Sequence, residues 1–155
     1  MKADGDVLLV DDNQADVKLT LKAFRVLSSE RQVTVVRDGE KALELLFSTG
    51  RHSGEVGAFA SGLRLVLLDL KLPKVNGFEV LKAVKADPKT QSIPVVMLTS
   101  SNQAQDVHEC YRLGANSYIQ KPVDYDEFCE AIQQIERYWL LFNQTRPLIR
   151  EDQKL

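Results

Sequence analysis

The chain has 155 residues, of which 44% are hydrophobic, with 20 Lys+Arg against 22 Asp+Glu. This length predicts one domain that buries about 70% of the surface of the unfolded chain, and the composition argues against wholesale disorder. The longest apolar run, Tyr138–Phe142, is too short to span a bilayer, and the first residues lack the apolar stretch of a signal peptide. A net charge of −2 gives no basic field to recruit nucleic acid. We therefore expect a soluble, cytoplasmic protein whose partners include neither nucleic acid nor membrane.

Short apolar runs alternate with longer amphipathic segments. The predicted strands are, in chain order, Val7–Val10, Gln32–Val36, Leu65–Leu68, Val95–Leu98 and Ser117–Ile119. A helix follows each strand: Ala15–Leu27, Asp38-Gly39 to about Ser48, a helix around Phe78–Val84, Gln103–Leu113, and a last helix capped by Asp124. The third helix must end before Asp87-Pro88, and Gly114 is the C-cap of the fourth. This alternation predicts an α/β domain with a parallel sheet covered by helices on both faces.

Two segments exceed this minimal plan. Gly50–Gly62 contains four glycines and is interpreted as a flexible surface loop between the second helix and the third strand. The last helix carries an apolar stripe that consists of Phe128, Ile132, Ile135, Trp139 and Phe142. The first half of this stripe is expected to lie in the core. Its later part, Tyr138–Phe142, is apolar on more than one face, which predicts a subunit or partner contact.

The two cysteines, Cys110 and Cys129, are isolated from each other, and each lies in a predicted helix. We interpret them as structural thiols in a reducing compartment, with a disulfide or a metal pair as the alternative.

Polar side chains follow four of the five predicted strands where each strand ends: Asp11 and Asp12, Asp69, Thr99, and Lys121. In an open parallel sheet these ends share one edge, and ligands bind there at a topological switch point. If the first and third strands are adjacent, the three aspartates converge. Asp38, after the second strand, is expected to cap its helix instead.

Three clustered carboxylates repel one another unless a cation neutralises them, and oxygen-only ligands favour Mg²⁺. Lys121 could pair with Asp69 or with a phosphoryl oxygen, and the Thr99 hydroxyl could donate to that oxygen. A carboxylate nucleophile in such a pocket can form an aspartyl phosphate. Each residue alone has an ordinary explanation as a cap, turn or surface charge, so the prediction depends on their joint placement.

These motifs resemble a known family: Val7–Asp12, Leu67–Pro73 with Asn76-Gly77, Leu98–Ser100, and Lys121-Pro122. Together they are similar to the receiver domain of bacterial response regulators over about residues 6–138. The resemblance implies a flavodoxin-like, doubly wound (βα)5 three-layer sandwich with a five-stranded parallel sheet in the order 2-1-3-4-5. It also implies a receiver domain at 5–143 with an extended last helix, and a C-terminal tail at 144–155.

The resemblance assigns roles to the residues at the strand ends. Asp69 would be the phosphoacceptor for the histidine of a sensor kinase, so the chain would not be an enzyme in its own right. Asp12 and Asp69 would bind Mg²⁺ directly, Asp11 would act mainly through water, and the backbone carbonyl of Lys71 would be a further ligand.

Two further roles concern the phosphorylated state. Thr99 and Lys121 would hold the phosphoryl oxygens. Tyr118 matches the switch aromatic that turns inward when Thr99 moves.

The whole sequence is also similar to stand-alone receivers paired with phytochrome-type sensor kinases. This likeness depends on Asp11-Asp12-Asn13-x-x-Asp16, on Leu70–Lys74, on the long loop, and on the aromatic last helix followed by Arg146-Pro147. Members of that group dimerise through the fourth predicted helix, the fifth strand and the last helix. We therefore expect a homodimer or partner surface that involves Phe128, Ile132, Tyr138, Trp139 and Phe142.

Other classes fit the residues less well. A haloacid-dehalogenase phosphatase needs a second acid where this chain has Lys71, and a flavodoxin-like binder needs a phosphate-cradling loop where Asp11-Asp12-Asn13 would repel phosphate. A constitutive interaction module on a receiver fold remains an alternative, although it predicts missing site residues and all five positions are filled. His52 and His108 are interpreted as ordinary surface or helix residues.

The short tail predicts that the protein acts through a phosphorylation-dependent surface. It would either relay phosphate to a histidine phosphotransfer protein or change a dimer or partner contact.

Overall fold

The computed structural model describes residues 6–27, 32–47 and 58–145. Within these ranges five strands form one sheet: β1 Val7–Val10, β2 Val33–Val36, β3 Leu65–Leu68, β4 Val95–Thr99 and β5 Ser117–Gln120. All neighbouring pairs are parallel, and the order is β2-β1-β3-β4-β5. The predicted strands and their order are confirmed.

A helix follows each strand, as predicted, and one further short helix, α3, lies between α2 and β3. The helices are α1 Gln14–Leu27, α2 Gly39–Phe47, α3 Ala58–Gly62, α4 Gly77–Ala86, α5 Ala104–Arg112 and α6 Tyr125–Glu136, which continues into a π-helical segment at Arg137–Phe142. Predicted caps are present, since Asp38 Oδ1 accepts from Lys41 N at 2.7 Å and Asp124 Oδ2 accepts from Glu127 N at 2.9 Å. Gly114 follows α5 with φ +107°, a conformation that favours glycine.

The two faces of the sheet bury separate apolar clusters. Alternate side chains of β1 point to opposite sides, so Leu8 and Val10 join the cluster of α2, α4 and α5, whereas Val7 and Leu9 join that of α1 and α6. The central strands β1, β3 and β4 are buried along their whole length. This is typical of a parallel sheet covered by helices on both sides, and it gives the three-layer sandwich.

The loop predicted at Gly50–Gly62 is wrong for its last part, because α3 occupies Ala58–Gly62. Ala60 and the following Leu63 are each only 5% exposed, and Phe59 packs against the same cluster beside α2. Burial of these apolar side chains outweighs the glycines that flank them. Residues 50–57, the rest of the predicted loop, lie outside the described residues.

The apolar stripe predicted for the last helix continues as far as Trp139, which packs against the core cluster of α1 and α6, and it ends before Phe142. In the π-helical segment the N–H of residue i+5 donates to the carbonyl of residue i, as Asn143 N does to Tyr138 O at 2.6 Å. This turn is wider than an α-helical turn, so the side chains that follow are rotated around the helix axis. Leu140 therefore takes the core position, and Phe142 is 68% exposed.

Two residues that were predicted to lie on a partner surface are buried in the core instead. Phe128 and Ile132 are 3% and 0% exposed, in the same cluster as α1. They are core residues and are not accessible to a partner. Trp139 is partly buried, with its ring edge-on to Tyr138 at a centroid distance of 4.9 Å, and Tyr138 is 52% exposed.

Gly77 allows α4 to start against the backbone below the site. A Cβ at this position would lie 2.2 Å from the carbonyl oxygen of Asp69 and 2.7 Å from Leu70 Cα. Helix propensity alone would favour Ala at Gly77. The close backbone contact outweighs this preference, so an alanine at position 77 would destabilise the fold.

We expect Gly77→Ala to lower the free energy of unfolding by about 1–3 kcal/mol, because the clash with rigid backbone is an overpacking cost. Urea denaturation measures the change. Ala104→Gly, at the exposed first position of α5, reports helix propensity alone. An unchanged or higher stability for Gly77→Ala would contradict the close approach.

Candidate functional site

The register of the sheet brings the predicted polar residues to one edge. Val10 is paired with Leu68, Leu68 with Met97, and Thr99 with Gln120. Asp11 and Asp69 are therefore the first residues beyond β1 and β3. Lys121 follows β5, and its backbone N–H donates to the backbone carbonyl of Thr99 at 2.7 Å. The alignment of the strand ends fixes the backbone of all these positions.

The Lys121 ammonium lies among three carboxylates. Its Nζ is 2.8 Å from Asp11 Oδ2, 2.9 Å from Asp16 Oδ2 and 3.0 Å from Asp69 Oδ2, and its side chain is only 8% exposed. Burial by itself would lower the pKa of Lys121, but the hydrogen bonds and charges of these aspartates outweigh it and raise the pKa. The amine is therefore held as a cation inside an acidic pocket.

Three carboxylates form a potential metal site. One oxygen each of Asp11, Asp12 and Asp69 lies within 4.8 Å of the others. Asp11 and Asp69 are buried, whereas Asp12 is exposed, so the cluster opens to solvent at Asp12. A set of oxygen donors with one solvent-facing carboxylate suits a partly hydrated Mg²⁺.

The two buried carboxylates are oriented in the same way. Asp11 Oδ1 accepts from Asn13 N at 2.9 Å, and Asp69 Oδ1 accepts from Leu70 N at 2.7 Å, while the other oxygen of each contacts Lys121. Burial raises the pKa of Asp11, and the bonds from Lys121 and Asn13 partly offset this effect. Backbone N–H groups and one lysine thus hold both carboxylates in fixed positions.

Thr99 and Tyr118 are connected through Ser101. Thr99 is fully buried at the end of β4, and its Oγ1 accepts from Ser101 N at 3.5 Å. The Tyr118 hydroxyl donates to the Ser101 carbonyl at 3.0 Å, and Ser101 Oγ donates to Asp106 Oδ2 at 2.6 Å. Any displacement of Thr99 that moves the backbone of Ser101 therefore changes the hydrogen bond of Tyr118.

The structure adds residues that the sequence reasoning did not place in the site. In the sequence, Asp16 is noted only as part of a family motif and has no predicted role; the structure places it in the first turn of α1. Ser101 and Asp106 gave no sequence signal beyond helix capping. Lys71, whose carbonyl was assigned to the metal, follows Asp69 by two residues and has an exposed side chain.

The remaining candidates lie outside the pocket. Both cysteines are free, Cys110 being buried in α5 and Cys129 partly buried in α6. Burial raises the pKa of the Cys110 thiol to about 11, so this thiol stays protonated. His108 is exposed on α5, and His52 lies outside the described residues. Among the helices that the structure describes, none has the length and apolar character needed to cross a membrane.

Comparison with known proteins identifies the class. The family model of the response regulator receiver domain matches residues 7–133, so the chain belongs to this family. The crystal structure of the phosphorylated cyanobacterial phytochrome response regulator RcpA aligns with a TM-score of 0.82 and 36% identity, over 90% of this chain and 96% of that chain. The relatives of this chain thus include phytochrome-associated single-domain regulators.

Two further relatives are similar over nearly their whole length. The Mn²⁺-bound form of response regulator Rcp1 aligns with a TM-score of 0.80 and 32% identity, over 90% of this chain and 97% of that chain. The probable methanogenesis regulatory protein FilR2 of Methanothrix harundinacea (strain 6Ac) is 37% identical over 139 residues, which cover 90% of this chain and 86% of FilR2.

Replacing Lys121 tests the electrostatic balance of the pocket. We expect Lys121→Met to lower the free energy of unfolding by about 3–5 kcal/mol at neutral pH, because Asp11 and Asp69 become buried carboxylates without a positive charge beside them. Mg²⁺ should restore more stability to this variant than to the wild type. Urea denaturation with and without Mg²⁺ measures both effects.

Lys18→Met, which removes an exposed lysine of α1, is the matched control and should change neither stability nor its response to Mg²⁺. Equal stability of Lys121→Met and the wild type in the absence of metal would show that Lys121 is not what neutralises the pocket.

Proposed function

We propose that the chain is a single-domain response regulator that accepts a phosphoryl group on Asp69 from the histidine of a sensor kinase in a Mg²⁺-dependent reaction. The observation that carries this proposal is the buried Asp69 carboxylate, within 4.8 Å of two further carboxylates and 3.0 Å from the Lys121 ammonium. Charge of both signs around one nucleophilic oxygen is what phosphoryl transfer requires.

In this reaction a carboxylate oxygen of Asp69 attacks the phosphorus atom. An O–P bond forms as the P–N bond to the kinase histidine breaks, and the electron pair returns to the imidazole nitrogen, which takes up a proton. Lys121 donates to a phosphoryl oxygen, and the Thr99 hydroxyl, once it turns toward that group, donates to another.

The residues around Asp69 fit the metal that the family uses. Asp12 and Asp69 would hold Mg²⁺ directly, with Asp11 acting mainly through water and the Lys71 carbonyl as a further ligand. When bound, Mg²⁺ supplies positive charge against the phosphoryl oxygens. The protein is then a phosphoacceptor that supports only the formation and hydrolysis of its own aspartyl phosphate.

The biological setting follows from the same likeness. We assign the receiver domain to residues 5–143 and a tail to 144–155, in a cytoplasmic protein. Because RcpA is a phytochrome response regulator, a phytochrome-like histidine kinase is the proposed donor. The phosphoryl group would end on Asp69 or pass on to a histidine phosphotransfer protein.

The output would be a change in the surface formed by α5, β5 and α6. The Thr99–Ser101–Tyr118 connection links the pocket to β5, and the π-helical segment adds Tyr138 and Phe142, which are 52% and 68% exposed. Exposed aromatic side chains at the end of a helix favour contact with a second copy of the chain or with another partner. Because an exposed apolar surface can bind a partner whether or not Asp69 is phosphorylated, a constitutive interaction module is the second candidate.

Phosphorylation is tested by intact mass after incubation with Mg²⁺ and a small acyl phosphate. We expect the wild type to gain one phosphoryl group, and both a metal chelator and Asp69→Asn to abolish the gain. Asp38→Asn is the control, since Asp38 is a buried carboxylate at the same edge that caps α2 and lies outside the metal cluster. No gain with any donor or metal would favour the constitutive module.

The proposed surface is tested by the double variant Tyr138→Ser/Phe142→Ser. We expect the phosphorylated wild type to be dimeric in light scattering after size exclusion, and the double variant to remain monomeric while it accepts the phosphoryl group normally. Lys41→Ser, which changes an exposed side chain of α2 outside this surface, is the control and should leave the dimer intact. Dimerisation of the double variant would exclude this surface.

A further inference from the structure

Asp16 contacts the site from outside the metal cluster. Its Oδ2 is 2.9 Å from Lys121 Nζ, yet the cluster of carboxylates within 4.8 Å of one another consists of Asp11, Asp12 and Asp69. We propose that Asp16 is a positioning residue that holds the Lys121 ammonium beside the acceptor while the metal and the phosphoryl group engage the other carboxylates. This inference rests on the proposed function.

The argument begins with the donors of Lys121. An ammonium has three N–H groups, and the three short contacts are to Asp11, Asp16 and Asp69. A metal cation would compete with Lys121 for Asp11 and Asp69, and phosphorylation turns the Asp69 carboxylate into an acyl phosphate. Of the three carboxylates that contact Lys121, Asp16 is the one that neither metal binding nor phosphorylation would involve.

Asp16 is itself held firmly. Its N–H donates to Asn13 Oδ1 at 3.0 Å, and its carbonyl accepts from the Thr20 hydroxyl at 2.8 Å, with Thr20 fully buried. The helix that carries it packs on α6 through a shared apolar cluster. The backbone of Asp16 is therefore anchored to the core, and from this anchored backbone the carboxylate can restrain the flexible stem of Lys121.

Two simpler roles must be separated from this one. A carboxylate in the first turn of a helix stabilises the helix by itself, and Asp126 does so in α6 from an exposed position. Alternatively, Asp16 could draw Lys121 away from the acceptor in the resting state. A helix-terminal role predicts equal effects for Asp16 and Asp126, and a competing role predicts faster phosphorylation when Asp16 is lost.

The experiment compares Asp16→Asn, Asp16→Glu and the control Asp126→Asn in full-length protein. The rate of phosphorylation is measured against the concentration of a small acyl phosphate at saturating Mg²⁺, Mg²⁺ affinity is measured by calorimetry, and the Lys121 ammonium is observed by ¹⁵N NMR. We expect Asp16→Asn to lower the maximal rate about 10-fold, as loss of an orienting outer partner does at metal sites. The half-saturating donor concentration and the Mg²⁺ affinity should change much less.

The ammonium signal separates positioning from general stability. In Asp16→Asn it should broaden or disappear, because Lys121 exchanges faster with solvent. Asp16→Glu should restore part of the rate and of the signal, and Asp126→Asn should match the wild type in both. If Asp16→Asn does not fold, Thr20→Val, which releases the Asp16 backbone but keeps its charge, should give a smaller loss of the same kind.

Several outcomes overturn the inference. A rate for Asp16→Asn equal to or above the wild type does so, as does a lower rate with an unchanged ammonium signal. Both leave the proposed function intact, because the wild type is still phosphorylated. Absence of phosphorylation in the wild type instead refutes the proposed function, and the role of Asp16 in transfer is refuted with it.

Discussion

The ammonium of Lys121 makes the acidic pocket possible. Asp11 and Asp69 are 1% and 7% exposed, and carboxylates buried this close together would take up protons or separate unless a positive charge lay between them. Lys121 supplies that charge and is kept ionised by the aspartates that it neutralises. The same ammonium that stabilises the resting pocket can donate to a phosphoryl oxygen. Folding and the proposed function therefore depend on one ion-pair network, which leaves little freedom to change any member alone.

The parallel sheet sets the geometry of this network. Its central strands are buried on both faces and pair in parallel, so their carboxyl ends meet at one edge of the sheet. The helices then add the outer contacts. The apolar cluster shared by α1 and α6 brings Asp16 against Lys121 from one side of the sheet. On the other side, α4 starts close to the Asp69 backbone because Gly77 has no side chain.

The pocket is joined to the surface by a short path. Ser101 contacts Thr99 through its N–H, Tyr118 through its carbonyl and Asp106 through its hydroxyl, so one residue of the β4–α5 connection links the end of β4 to β5 and α5. At the far end of the same layer, the π-helical segment turns Tyr138 and Phe142 outward while Leu140 fills the core. A local rearrangement at Thr99 is thus connected by hydrogen bonds to β5 and α5.

The sequence by itself determined the strands, most helix boundaries, the order of the sheet through family likeness, and the convergence of Asp11, Asp69 and Lys121. These follow from local patterns, since continuous apolar runs identify buried strands and polar residues at their ends must share one edge. Tertiary structure alone decided the rest. The helix α3 forms because Phe59 and Ala60 find a core to pack against, the π-helical turn exposes Phe142, and Asp16 reaches Lys121 although 105 residues separate them. Contacts of this kind depend on how helices dock on the sheet, which periodicity along the chain does not encode.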